Sequence, residues 1–121
     1  MYRVLIADDS IYARDSLKDI LLKAGYDVVG EACNGLEVIE LYQKLTPDIV
    51  TMDITMPQIN GIEALKKIIK INKEAKVIMM TAVGRPDKTI EALDNGALGY
   101  VIKPFDEDVV LKAINLAMGT A

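Results

Sequence analysis

The chain has no histidine among its 121 residues, and that absence excludes a great deal. Ser-His-Asp and Cys-His catalysis cannot operate, and the common zinc sites are lost with them. An acid, base or nucleophile must be Asp, Glu, Lys, Tyr, Ser, Thr or cysteine. A bound metal must be a hard ion with oxygen ligands. Cys33 is the single cysteine, so no intrachain disulfide forms. Nothing flanking it would lower its pKa, and a small buried or half-buried thiol in a reducing cytosol is expected. No uninterrupted apolar run is long enough to span a bilayer. The N-terminus enters a strand pattern without a basic segment or signal-type apolar core. The expectation is a cytoplasmic protein with no membrane insertion. The formal net charge of −4 argues against direct binding to nucleic acid.

What is present is a folded composition, with 51% hydrophobic and 26% charged residues, too apolar for disorder and sized for one core. Apolar runs alternate with helical patterns throughout. The runs are Arg3–Ala7, Asp27–Ala32, Ile49–Met52, Lys76–Thr81 and Gly99–Ile102. Between the first two, Leu17, Ile20, Leu21 and Ala24 recur at helical spacing, with Gly25 as a stop. Val38, Ile39, Tyr42 and Leu45 mark a second helix, and Ile62, Leu65 and Ile69 a third. A fourth spans about Asp87–Asn95, and Val110, Ala113, Ile114 and Ala117 mark a fifth. Five strands alternating with five helices predict an α/β fold, a parallel sheet covered on both faces. There is no internal repeat, linker or low-complexity segment. The last helix ends near residue 121, giving the expectation of one domain over 1–121 with no output domain.

Four runs end in residues suited to phosphoryl chemistry. The first leads to Asp8-Asp9, the third to Asp53, the fourth to Thr81 and the fifth to Lys103-Pro104. Taken singly, each has a plainer role: a helix cap, a turn or a surface bend. Parallel strands, however, place all these ends on one sheet edge, where open α/β sheets bind ligands. Three carboxylates held together repel one another unless protonated or neutralised by a cation, and Mg²⁺ suits such a site. Phosphoryl oxygens could then meet the cation, the Lys103 ammonium and the Thr81 hydroxyl. Asp53, the central acid, is the best nucleophile for an aspartyl phosphate. Ala82 is small and leaves room for the group.

Asp8-Asp9, Met52-Asp53-Ile54-Thr55-Met56-Pro57, Gly61, Thr81-Ala82, Gly96-Ala97 and Lys103-Pro104-Phe105 together resemble the receiver domain of a two-component response regulator, over essentially the whole length. The resemblance implies a doubly wound (βα)5 flavodoxin-like domain with strand order 2-1-3-4-5. It implies that Asp53 accepts a phosphoryl group from a sensor histidine kinase. It assigns Mg²⁺ to Asp9, Asp53 and the Thr55 backbone carbonyl, with Asp8 acting mainly through a metal-bound water. Thr81 and Lys103 would contact the phosphoryl oxygens, and the bond before Pro104 would be cis. The missing histidine then belongs to the partner, so the chain acts on no outside substrate and catalyses only its own phosphorylation and dephosphorylation. Asn60 stands where relatives often carry an acid, a small departure.

The same resemblance gives Tyr100 and Thr81 a coupled switch role, reshaping the face of the fourth helix, fifth strand and fifth helix. Val83 cannot orient an attacking water, which implies slow spontaneous dephosphorylation and help from a separate phosphatase. The run Gly30-Glu31-Ala32, Asn34-Gly35 and Asn60-Gly61-Ile62 is similar to the stand-alone CheY-type chemotaxis regulators, implying a flagellar motor switch protein as target and a monomer. The alternatives are a phosphorelay intermediate, a receiver fragment of a DNA-binding regulator, or a haloacid-dehalogenase-type phosphatase. The last needs an acid two residues after the nucleophile, where this chain has Thr55. A flavodoxin-like electron carrier is discarded, because Asp8-Asp9 would repel its phosphate.

Overall fold

A computed structural model describes residues 2–82 and 84–119. Ten elements alternate without exception: β1 (Arg3–Ala7), α1 (Ile11–Lys23), β2 (Asp27–Ala32), α2 (Gly35–Leu45), β3 (Ile49–Asp53), α3 (Gly61–Ile71), β4 (Val77–Ala82), α4 (Pro86–Asp94), β5 (Gly99–Lys103) and α5 (Glu107–Met118). All strand pairs are parallel, and their spatial order is β2-β1-β3-β4-β5. This is the doubly wound, flavodoxin-like arrangement. Its order reverses at β1, and the adjacent β1 and β3 diverge there to helices on opposite faces.

The period-two alternation of the strands sorts the core into two layers. Leu5, Ala7, Val50, Met52, Val77 and Met79 face the side covered by α2, α3 and α4. Val4, Ile6, Ile49, Ile78, Met80 and Val101 face Leu17 and Leu21 of α1 and Val110 and Ile114 of α5. Strands β1 and β3 therefore read as mostly apolar runs, Val4–Ala7 and Ile49–Met52 with Thr51 the one polar residue, since both faces are covered.

Side-chain caps start four helices. Ser10, Asn34, Asn60 and Asp106 each accept a hydrogen bond from the backbone N–H three residues on. Helix α4 differs: Arg85 is its N-cap and supplies no side-chain hydrogen bond. Its first turn rests on Pro86, preset for the helical φ.

The sequence-based ranges hold to within a residue or two, and the deviations have local causes. Ala24 is the exposed C-cap of α1, because Gly25 (φ 90°) ends the helix one residue sooner than the apolar spacing extends. On α3 the fully buried position is Ile68, while Ile69 is half-buried at the rim. Cys33 is exposed and not half-buried. It lies in the short β2–α2 loop at the sheet edge, where its N–H donates to Glu37 Oε1 at 2.7 Å. Glu37 in turn donates its own N–H to Asn34 Oδ1 at 2.8 Å, and these bonds around the helix start accompany a thiol left outside the core.

Candidate functional site

The carboxyl ends of β1, β3, β4 and β5 surround a cleft of about 320 Å³ lined by Asp9, Asp53, Ile54, Thr55, Thr81, Ala82, Arg85 and Lys103. Asp8 lies behind this lining and is buried. One carboxylate oxygen from each of Asp8, Asp9 and Asp53 falls within 4.8 Å of the others. That spacing and all-oxygen chemistry fit a hard divalent cation.

Asp8 is held from every side. Its Oδ1 accepts the Ser10 N–H at 2.9 Å, and its Oδ2 pairs with Lys103 Nζ at 2.5 Å. Its backbone carbonyl accepts from Arg14 Nη1 at 2.6 Å, and its N–H donates to Ala32 O at 3.0 Å. Arg14 is itself braced by Glu31, 3.3 Å from its Nε. Asp9, by contrast, is exposed at the rim.

Asp53 closes β3 and is 8% exposed. Gly61 sits directly beneath it. A Cβ there would lie 2.1 Å from the Asp53 carbonyl oxygen, so only glycine permits the approach. The Gly61 N–H donates to Ile54 O at 2.7 Å and ties the loop back to the strand. Burial pushes the Asp53 carboxyl up from 3.8 to about 6. Lys103, 3.5 Å away, pulls against this, Asp8 adds to it, the Thr55 backbone N–H lowers it by hydrogen bonding, and Asp9 raises it again. A lone ammonium shared with Asp8 does not compensate for desolvation, so the cluster favours a further positive charge.

Lys103 ends β5, and its bond to Pro104 is cis. Thr81 is buried at the end of β4, and its hydroxyl is 3.4 Å from Ala82 O, a long hydrogen bond that leaves it available. Tyr100 is paired with Met79 in the β4–β5 register, two residues along from the Ile102 opposite Thr81. It is 47% exposed and lines a groove of about 340 Å³ with Thr81, Arg85, Ile90 and Leu93. Val83 lies outside the described residues.

The structure therefore brings Asp8, Asp9, Asp53, Thr55, Thr81, Ala82 and Lys103 to one site, with Tyr100 in the neighbouring groove. Two arginines were not legible. Arg14 reaches Asp8 through main-chain contact, which no spacing rule signals. Arg85 could have been found as the first cation after the fourth strand.

A parallel sheet ordered 2-1-3-4-5 with an acidic triad, a hydroxyl and an ammonium at its carboxyl edge has the architecture of a receiver-type signalling domain. Residues 4–115 match the response regulator receiver domain, and the chain belongs to that family. Its resemblance is to the CheY type. It is 53% identical over 113 residues to the chemotaxis protein CheY of Thermotoga maritima, covering 93% of this chain and 94% of that one. It is 46% identical over 119 residues to protein CcdB of Bacillus subtilis, covering 98% and 99%. Its structure superposes with a TM-score of 0.93 on a crystal structure of the CheX-CheY-BeF3-Mg complex from Borrelia burgdorferi, at 34% identity, covering 97% of this chain and 89% of that chain. No helix among the described residues is long and apolar enough to cross a membrane.

Proposed function

We propose that Asp53 is the phosphoacceptor of a CheY-type regulator, with residues 1–121 acting as one receiver unit. The observation that carries this is the position of its carboxylate: buried, 3.5 Å from the Lys103 ammonium, and within 4.8 Å of oxygens from Asp8 and Asp9. An Asp53 oxygen attacks the phosphorus of a phosphohistidine on a sensor kinase. The P–N bond breaks, its electron pair stays on that ring nitrogen, and the imidazole, already protonated on its other nitrogen, leaves neutral. Lys103 and the Thr81 hydroxyl bind phosphoryl oxygens and offset the developing charge. Asp9, Asp53 and the Thr55 carbonyl would hold Mg²⁺, with Asp8 one water removed. Bound there, Mg²⁺ supplies charge neutralisation that lets a dianion enter an acidic cleft.

Thr81 then couples to Tyr100. The groove beside Thr81 gives the tyrosine ring somewhere to go, and its filling would alter the face of α4, β5 and α5. That face exposes Ile90, Tyr100, Ile102 and Val109, an apolar surface suited to a protein target. The similarity to a chemotaxis protein supports the flagellar motor switch as that target in a cytoplasmic, monomeric protein. With Val83 unable to orient water, loss of the phosphoryl group is slow and a separate phosphatase assists.

Incubation with acetyl phosphate and Mg²⁺, followed by intact-mass measurement, tests the central step. The wild type gains one phosphoryl group and Asp53→Asn gains none. Labelling of Asp53→Asn, or turnover of many equivalents of phosphate ester by the wild type, would overturn the reading.

A further inference from the structure

We propose that Arg85 is a second phosphoryl-binding cation of this site and links the modified pocket to the start of α4. The inference rests on Asp53 being the acceptor. Three observations support it. Arg85 lines the acidic cleft together with Asp9, Asp53, Thr81 and Lys103. It also lines the adjoining groove that holds Tyr100; with Thr81 and Ala82, it is common to both cavities. Finally, no hydrogen bond or ion pair engages its guanidinium among the described residues, whereas Lys103 is already divided between Asp8 and Asp53.

Charge balance gives the arginine its task. Asp8, Asp9 and Asp53 contribute three negative charges, and Lys103 returns one. A divalent cation would bring the unmodified site to neutrality. Replacing the Asp53 carboxylate by an acyl phosphate adds about one further negative charge. The guanidinium of Arg85, a residue of the cleft lining, supplies one positive charge, in the planar geometry that matches phosphoryl oxygens.

The anchoring of Arg85 makes its capture consequential. It is the N-cap of α4, and its carbonyl accepts the Thr89 N–H at 3.2 Å and the Thr89 hydroxyl at 3.1 Å. Its side chain gives the helix no cap, so nothing at that end competes with a phosphoryl group for it. Movement of the guanidinium toward Asp53 draws the first turn of α4 with it and narrows the groove lined by Thr89, Ile90 and Tyr100.

Arg85→Ala and Arg85→Lys test this against the wild type, with beryllofluoride and Mg²⁺ as the phosphoryl stand-in and acetyl phosphate as the donor. Arg85→Ala should still label fully at Asp53. Its half-saturating acetyl phosphate concentration and its beryllofluoride dissociation constant should each rise about tenfold, as expected for one lost charge-assisted hydrogen bond. Arg85→Lys should recover part of both. Mg²⁺ affinity of unmodified Arg85→Ala should stay equal or tighten, because a positive charge has left the cleft; general damage to the pocket would weaken it. Beryllofluoride should slow amide exchange across the first turn of α4 in the wild type and not in Arg85→Ala. A labelled wild type with Arg85→Ala within twofold of it in both constants overturns the inference alone. A wild type that takes no label overturns the acceptor reading and the inference together.

Discussion

Strands β3 and β5 have similar lengths and each ends in a charged residue of the cleft, yet the molecule treats them oppositely. Every residue of β3 is buried, since it lies between β1 and β4 with helices on both faces. β5 is an edge strand in which only Val101 is buried, while Tyr100 and Ile102 are about half exposed. One strand holds its terminal carboxylate in a buried, desolvated place. The other presents its side chains to a groove and to solvent. A receiver needs both: chemistry demands a fixed acid with a raised affinity for positive charge, and signalling demands a surface that can change at low cost.

The sharpest way to break this contrast is at the end of β3. Gly61→Ala would drive a Cβ to 2.1 Å from the Asp53 carbonyl oxygen and 2.8 Å from Ile54 Cα. Those are backbone atoms with no rotamer to escape through, so the cost should lie near the upper end of the overpacking range, about 3 kcal/mol. Urea unfolding measures it. A loss below about 1 kcal/mol would mean that the β3–α3 junction yields, and that Asp53 is not rigidly placed.

Next comes Asp53 itself. Its carboxyl is raised from 3.8 to about 6 by burial first, with Asp8 and Asp9 adding to it. The folded protein therefore keeps this proton over a window in which the unfolded chain has already released it. The resulting penalty is absent below about 3.8, grows between 3.8 and about 6, and is complete above that. The shift corresponds to roughly 3 kcal/mol at most. Asp53→Asn should consequently stabilise the metal-free protein at pH 7.5 by about 2 kcal/mol, with the gain vanishing near pH 4. Added Mg²⁺ should narrow the gap by stabilising the wild type. Parallel denaturation curves at the two pH values, with chelator and with Mg²⁺, decide the matter. A mutant that is less stable than the wild type at pH 7.5 would contradict the electrostatic account.

The same contrast explains how much of the molecule is legible in its sequence. β3 is legible because burial on both faces leaves a run that Thr51 alone interrupts before Asp53. Placing Asp8, Asp9, Asp53, Thr81 and Lys103 on one edge needs only that the strands be parallel. The direction of individual side chains is not carried locally. The run of β5 does not say which of its residues are covered, and its edge position leaves Tyr100 and Ile102 about half exposed. Cys33 departs from expectation for a similar reason, since its loop at the start of α2 leaves the thiol outside. Arg14 meets the Asp8 backbone carbonyl through tertiary geometry, which local periodicity does not encode.

The smallest expected effect lies on β5 and tests the other half of the comparison. Ile102 is 46% exposed, and Ile102→Thr keeps a β-branched residue in an edge strand. Little apolar area is lost, so the stability change should stay within about 0.5 kcal/mol. Phosphorylation by acetyl phosphate should be unaffected, because Ile102 lies outside the cleft lined by Asp9, Asp53 and Lys103. Binding of the phosphorylated protein to its target should weaken severalfold if that face is the output surface. Unfolding, labelling and pull-down on the same variant separate the three quantities. A loss of more than about 2 kcal/mol would place Ile102 among the structural residues. β5 would then serve the fold no less than β3 does, and the division between a fixed chemical strand and a free signalling strand would not hold.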